Sequence, residues 1–150
     1  MKELEKINRK EFLIKTGGLL SLSLLPWGGD YQKLSAETEN KVRQISSKEQ
    51  LEKIISLNEN TAIVFSATHC AYCLMYEPIF EETSREYPDI VFGKITLDKI
   101  PKKENDILLK VYKVEFLPTT IFFHKNKEIF NKIGYMDKKN LTEYINTYFK

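Results

Sequence analysis

Cys70 and Cys73 are the only thiols in the chain, and they flank the dipeptide Ala71-Tyr72. On a helix, residues three apart lie on one face, one turn from each other. The nucleophile of disulfide exchange is the thiolate, and a thiol of ordinary pKa, about 8.5, is only ~3% ionised at pH 7. Lowering the pKa to about 7 makes half of it thiolate. The flanking sequence predicts a setting that does this. Thr61 to Ser66 is a short apolar, β-branched run that reads as a buried strand, and a helical pattern with Met75, Ile79 and Phe80 follows the pair. Cys70 then opens a helix, where unpaired N–H groups and the helix dipole favour a thiolate. It attacks a substrate disulfide, and Cys73 resolves the mixed disulfide. The bland alternative is a static disulfide, or two thiols packed as small hydrophobes; the strand-then-helix context favours redox chemistry. Two cysteines cannot build a four-Cys zinc site, but two thiolates, joined by His69, would suit a Cu(I) carrier.

The elements that must position the pair follow from periodicity. Residues 37–46 are polar and read as a linker. Ser47 with Gln50 forms a capping box for a helix to about Leu57, with Leu51, Ile54 and Ile55 inward. Pro78 is expected to kink the helix after the cysteines. Ile90 to Leu97 reads as a second strand, and Ile107, Leu108, Val111 and Tyr112 mark another helix, with Lys102-Lys103 in a solvated loop. Thr119 to His124 is a strand, Lys125-Asn126-Lys127 a turn, and Glu128 to Ile133 its hairpin partner. Asp137 or Asn140 caps a last helix bearing Leu141, Tyr144, Ile145 and Phe149. The pattern implies an α/β fold: a mixed central sheet of about four strands with helices on both faces.

Length and charge narrow the class. The chain has 150 residues, enough for one domain and a tail. A net charge of +2 gives no argument for nucleic acid, whose binders carry a clustered basic surface. Residues 1–36 hold 6 basic and 4 acidic residues of the totals of 23 and 21, leaving 17 of each for 37–150. The basic first segment reads as a signal peptide. Arg9, Lys10 and Lys15 precede the apolar run Gly17 to Leu25, which is too short to span a bilayer, and Leu34-Ser35-Ala36 suits cleavage before Glu37. Asn8-Arg9-Lys10-Glu11-Phe12-Leu13 is similar to a twin-arginine signal, with Lys10 in place of the second Arg. The organisation expected is a leader at 1–36, a linker at 37–46 and a folded domain at 47–150. A cytosolic protein with an amphipathic tail is the alternative.

From about Ser47 to Phe149 the chain resembles thioredoxin-fold proteins. The resemblance rests on Phe65, Cys70-Ala71-Tyr72-Cys73, Pro78, Lys94, Asp98, Phe116-Leu117-Pro118-Thr119 and Gly134 at matching spacing. It implies Cys70 as nucleophile, Cys73 as resolving thiol, a cis bond before Pro118, and Leu117, Pro118 and Thr119 as a platform for an extended substrate strand. Without it, Pro118 reads as an ordinary trans proline opening an edge strand. The sequence departs from thioredoxin in three places. Val64 stands where thioredoxins carry a buried Asp that assists proton transfer at the second Cys. Lys94 loses that acidic partner; it either snorkels to solvent or favours a thiolate on Cys73 by proximity. His69 replaces the Trp before the first Cys, and either tunes Cys70 as a nearby cation or is an exposed residue without a role. A Tyr before the second Cys is similar to exported disulfide isomerases, glutaredoxins and some periplasmic thioredoxin-like reductases. The expectation is a monomeric, exported thiol–disulfide oxidoreductase that needs no cofactor or metal. It would reduce protein disulfides of the cell envelope with electrons from a donor such as a membrane thiol reductase. Only an uncleaved leader would tie it to the membrane. Disulfide oxidation or isomerisation, and Cu(I) carriage, are the alternatives.

Overall fold

The computed structural model describes residues 42–149, so the leader, its cleavage site and the first half of the expected linker, 37–41, lie outside the described residues. Five strands form one mixed sheet: β1 (Arg43–Ile45), β2 (Asn60–Ser66), β3 (Val91–Thr96), β4 (Thr119–His124) and β5 (Lys127–Ile133). Their order across the sheet is β1-β3-β2-β4-β5. β1 and β2 run parallel to β3, β4 is antiparallel to β2, and β5 is antiparallel to β4. Four helices flank it: α1 (Lys48–Leu57), α2 (Ala71–Glu86), α3 (Lys102–Val111) and α4 (Lys138–Tyr148).

Side chains alternate along the central strands, which makes the core two-sided. Ile63 and Phe65 of β2, Ile95 of β3 and Ile121 and Phe123 of β4 pack against Leu51, Ile54 and Ile55 of α1 and Leu108 of α3. Ala62, Val64, Phe92 and Phe122 face the other way, onto Tyr76 and Phe80 of α2 and Leu141 and Ile145 of α4. Both faces of β2 are therefore buried, which explains its unbroken apolar run.

The caps match the sequence. The Ser47 hydroxyl accepts from the Gln50 N–H at 3.1 Å. The Gln50 amide oxygen returns to the Ser46 N–H at 2.9 Å, one residue earlier than a regular capping box. Asp137, rather than Asn140, caps α4 by accepting from the Asn140 N–H at 2.8 Å. The β4–β5 turn places both Lys125 and Asn126 at positive φ, 47° and 66°. That pair of values is a type I′ turn, which suits the twist of a hairpin.

Several elements differ from expectation. The sheet has a fifth strand, β1, inside the stretch read as linker; its only inward side chain is Ile45. α2 is continuous through Pro78, whose ring is exposed, while Tyr76 and Phe80 on either side are anchored in the core. The buried stripe of α2 is Cys73, Tyr76, Phe80, Thr83 and Ser84, and Met75 is exposed. Lys102 and Lys103 belong to the first turn of α3, and of the four apolar positions read there only Leu108 is fully buried. Among the described residues no helix is long and apolar enough to cross a membrane.

Candidate active site

β2 ends at Ser66, and four residues later Cys70 is the N-cap of α2. Its Sγ accepts from the Cys73 N–H at 3.2 Å. Sulfur thus takes the place that a Ser or Asp oxygen fills in a common cap, where the first-turn N–H groups favour negative charge. The two cysteines form a disulfide with their Cα atoms 5.1 Å apart, so the described state is the oxidised one. They are unequal. Cys70 is half-buried at the helix tip, whereas Cys73 is 3% exposed. An incoming disulfide reaches Cys70 first.

The antiparallel β2–β4 pairing brings the second motif to the same end of the sheet. Phe65 pairs with Thr119, so the chain leaving β2 toward Cys70 lies beside the chain entering β4 from Pro118. The Leu117–Pro118 bond is cis, as the resemblance implies. The Pro118 carbonyl accepts from the Gly134 N–H at 2.7 Å, and Gly134 has φ 91°, a conformation that favours glycine. The Thr119 hydroxyl donates to the Phe116 carbonyl at 2.6 Å, closing the turn. Leu117 precedes the β4 ladder, which begins at Thr119, so its backbone lies outside the sheet pairing. Its side chain packs partly on the core, and with Ala67, Asp98 and Glu115 it borders a cleft of about 310 Å³.

Other expected positions fall differently. His69 is exposed in the turn before Cys70. Asp98 lies in a single 3-10 turn, Leu97–Lys99, directly after β3. Its carboxylate accepts from the Thr68 N–H at 2.9 Å and pins the loop that carries Cys70. Hydrogen bonds from the Thr68 hydroxyl and N–H hold its pKa below the usual carboxylate value, with a smaller contribution from His69. Lys94 neither snorkels freely nor stays unpaired: it forms an ion pair with Glu77 of α2. Val64 pairs across the sheet with Lys94 on one side and Thr120 on the other, and it is buried. Sequence reasoning missed Glu77. The available signal was its place four residues after Cys73, on the same helix face. Among the described residues no group of three or more His, Cys, Asp or Glu side chains is gathered as a metal site.

Comparison with known proteins agrees with this geometry. The Thioredoxin family model matches residues 30–147. Thioredoxin of Mycoplasmoides gallisepticum is 29% identical over 102 residues, which cover 68% of this chain and 97% of that protein. Thioredoxin of Chlamydia pneumoniae is 37% identical over 82 residues, 55% of this chain and 76% of that protein. Among solved structures, a mutant thioredoxin from Halobacterium salinarum matches with a TM-score of 0.66 at 25% identity, covering 75% of this chain and 94% of that one. Oxidised mitochondrial thioredoxin 3 of Saccharomyces cerevisiae matches with a TM-score of 0.62 at 25% identity, covering 71% and 94%. With a family match across most of its length and a close Cys70–Cys73 pair at the tip of α2, this chain belongs to the thioredoxin family and is a thiol–disulfide oxidoreductase.

Proposed function

We propose that the protein is exported and reduces disulfides of cell-envelope proteins. Cys70 is the attacking thiolate, Cys73 the resolving thiol, and Leu117, Pro118 and Thr119 the platform along which the substrate strand lies. The observation that carries these roles is the asymmetry of the pair: Cys70 caps α2 and is reachable, while Cys73 is buried one turn below. The thiolate of Cys70 attacks one substrate sulfur and expels the other. Cys73 then attacks Cys70, releasing the second substrate thiol and leaving the disulfide seen here. A membrane thiol reductase would return the pair to the dithiol. The reading of export rests on the sequence of residues 1–36, with its basic start, apolar run and small-residue cleavage site.

Insulin reduction by the full chain tests the roles. Cys70→Ser should abolish it, and Cys73→Ser should accumulate a mixed disulfide; activity retained in Cys70→Ser would exclude that nucleophile. The direction of electron flow is read from the reduction potential. A value near about −270 mV fits a reductase, and one near about −120 mV would make the protein an oxidant. Recovery of a tagged chain outside the cytoplasm with a shortened N-terminus supports export, and a full-length cytosolic product excludes it.

A further inference from the structure

Under the cysteine pair, Val64, Ser66, Cys73, Glu77 and Lys94 border a narrow cavity of about 10 Å³. Its lining sets a charged pair beside a buried thiol. Val64, on β2, offers only an isopropyl group to its ladder neighbour Lys94. The lysine therefore reaches across to α2 and pairs with Glu77, with side-chain exposures of 13% for Lys94 and 33% for Glu77. Glu77 follows Cys73 by four residues, so both side chains lie on one helix face. The ion pair thus holds a carboxylate at the cavity onto which Cys73 opens.

Cys73 has need of such a group. At 3% exposure it has little access to solvent bases, and apolar surroundings disfavour a thiolate. Two other titratable side chains face the cavity, Tyr76 and Glu81, both from α2. The Tyr76 hydroxyl is engaged by Thr120 at 3.2 Å, and burial holds the phenol in its neutral form. Glu81 is a further turn from Cys73 and makes no ion pair with Lys94.

We propose that Glu77 accepts the Cys73 proton while the mixed disulfide is resolved, and that Lys94 positions its carboxylate. The inference rests on the redox roles proposed above. In the step, the Cys73 S–H proton passes to the Glu77 carboxylate. The sulfur electron pair forms the bond to Cys70, and the bond between Cys70 and the substrate sulfur breaks. The substrate leaves as a thiolate that takes a proton from water. Both protein thiols are oxidised to the disulfide as the substrate disulfide is reduced to two thiols. Glu77 returns its proton to solvent at its exposed edge.

Stopped-flow reaction of the reduced full chain with dithiobis-nitrobenzoate separates the two steps, because attack by Cys70 releases one coloured thiolate and resolution by Cys73 a second. Glu77→Gln should slow the second release about a hundredfold relative to the first near pH 7. Its second-step rate should keep rising with pH toward the thiol's own ionisation, where the unmodified protein levels off. Glu77→Asp should restore part of the rate. Glu81→Gln should match the unmodified protein. Lys94→Gln, which frees the carboxylate without removing it, should slow the second release alone and less severely; it also serves if Glu77→Gln fails to fold by circular dichroism. An unchanged second release, or equal slowing of both, overturns the role of Glu77. If the unmodified protein releases no second thiolate, the resolving role of Cys73 fails first, and the inference with it.

Discussion

Tyr76 shows how one buried side chain sets a pH limit on the whole site. It is 1% exposed, and its hydroxyl accepts from the Thr120 hydroxyl at 3.2 Å. Burial raises its pKa well above the ordinary value of 10.0, opposed by a smaller lowering from Thr120. A group whose folded pKa is raised contributes stability that is whole below its unfolded pKa and is lost as pH rises toward the folded one. Stability should therefore hold up to about pH 10 and fall above it. Tyr76→Phe should cost about 1 kcal/mol at pH 7, because Thr120 loses its partner. It should also flatten the alkaline decline. Urea midpoints at neutral and alkaline pH measure both effects, and an equally steep decline in the variant would remove Tyr76 as the cause. At this scale the sequence was legible where chemistry is tied to spacing. Cys70 and Cys73 need only a helix start to become a redox pair. Glu77 was legible only as a residue one helical turn after Cys73, because its pairing depends on Lys94 reaching over from a strand 17 residues away. Asp98 was legible as a motif residue, but its grip on Thr68 required the fold to bring residues 30 apart together.

Strands and helices were legible where both sides of an element are buried or one stripe repeats cleanly. β2, α1 and the β4–β5 hairpin carry such signals. β1 does not. Its three residues present exposed Arg43 and Gln44 and a single buried Ile45, the composition of a short, blunted edge strand. What fixes it is tertiary: it runs parallel to β3, where Arg43 pairs with Gly93. A Cβ at Gly93 would lie 2.7 Å from Ile45 Cδ1 and 2.8 Å from Ile63 Cδ1. Glycine here lets two isoleucines meet over the strand. Gly93→Ala should therefore cost about 1–3 kcal/mol by overpacking. Ile45→Val removes the nearer methyl, so the double variant should be less destabilised than the two single effects added together, by at least about 0.5 kcal/mol. Chemical denaturation of the four proteins gives the coupling. Strict additivity would show that β1 does not press on Gly93.

For the whole molecule, the sheet is the shared wall of two cores. Ile55 lies in the cluster under α1 and α3, and Ile145 in the cluster under α2 and α4. Neither cluster can persist without the sheet, because β2, β3 and β4 lend alternate residues to both. The site depends on the same wall: Cys70 hangs from the end of β2 and Pro118 from the start of β4, so loosening either core displaces one motif against the other. Unfolding should thus be a single cooperative transition despite two separate apolar clusters. Ile55→Val and Ile145→Val should each cost about 0.5–1.5 kcal/mol. Their effects should add within about 0.5 kcal/mol, since the residues share no partners, and the denaturant slope should not change. The measurement is urea unfolding followed both by far-ultraviolet circular dichroism and by tyrosine fluorescence. Two separated transitions, or a slope that falls in one variant alone, would mean that one helical layer detaches before the sheet does, leaving the cysteine pair and the proline turn on independently melting parts.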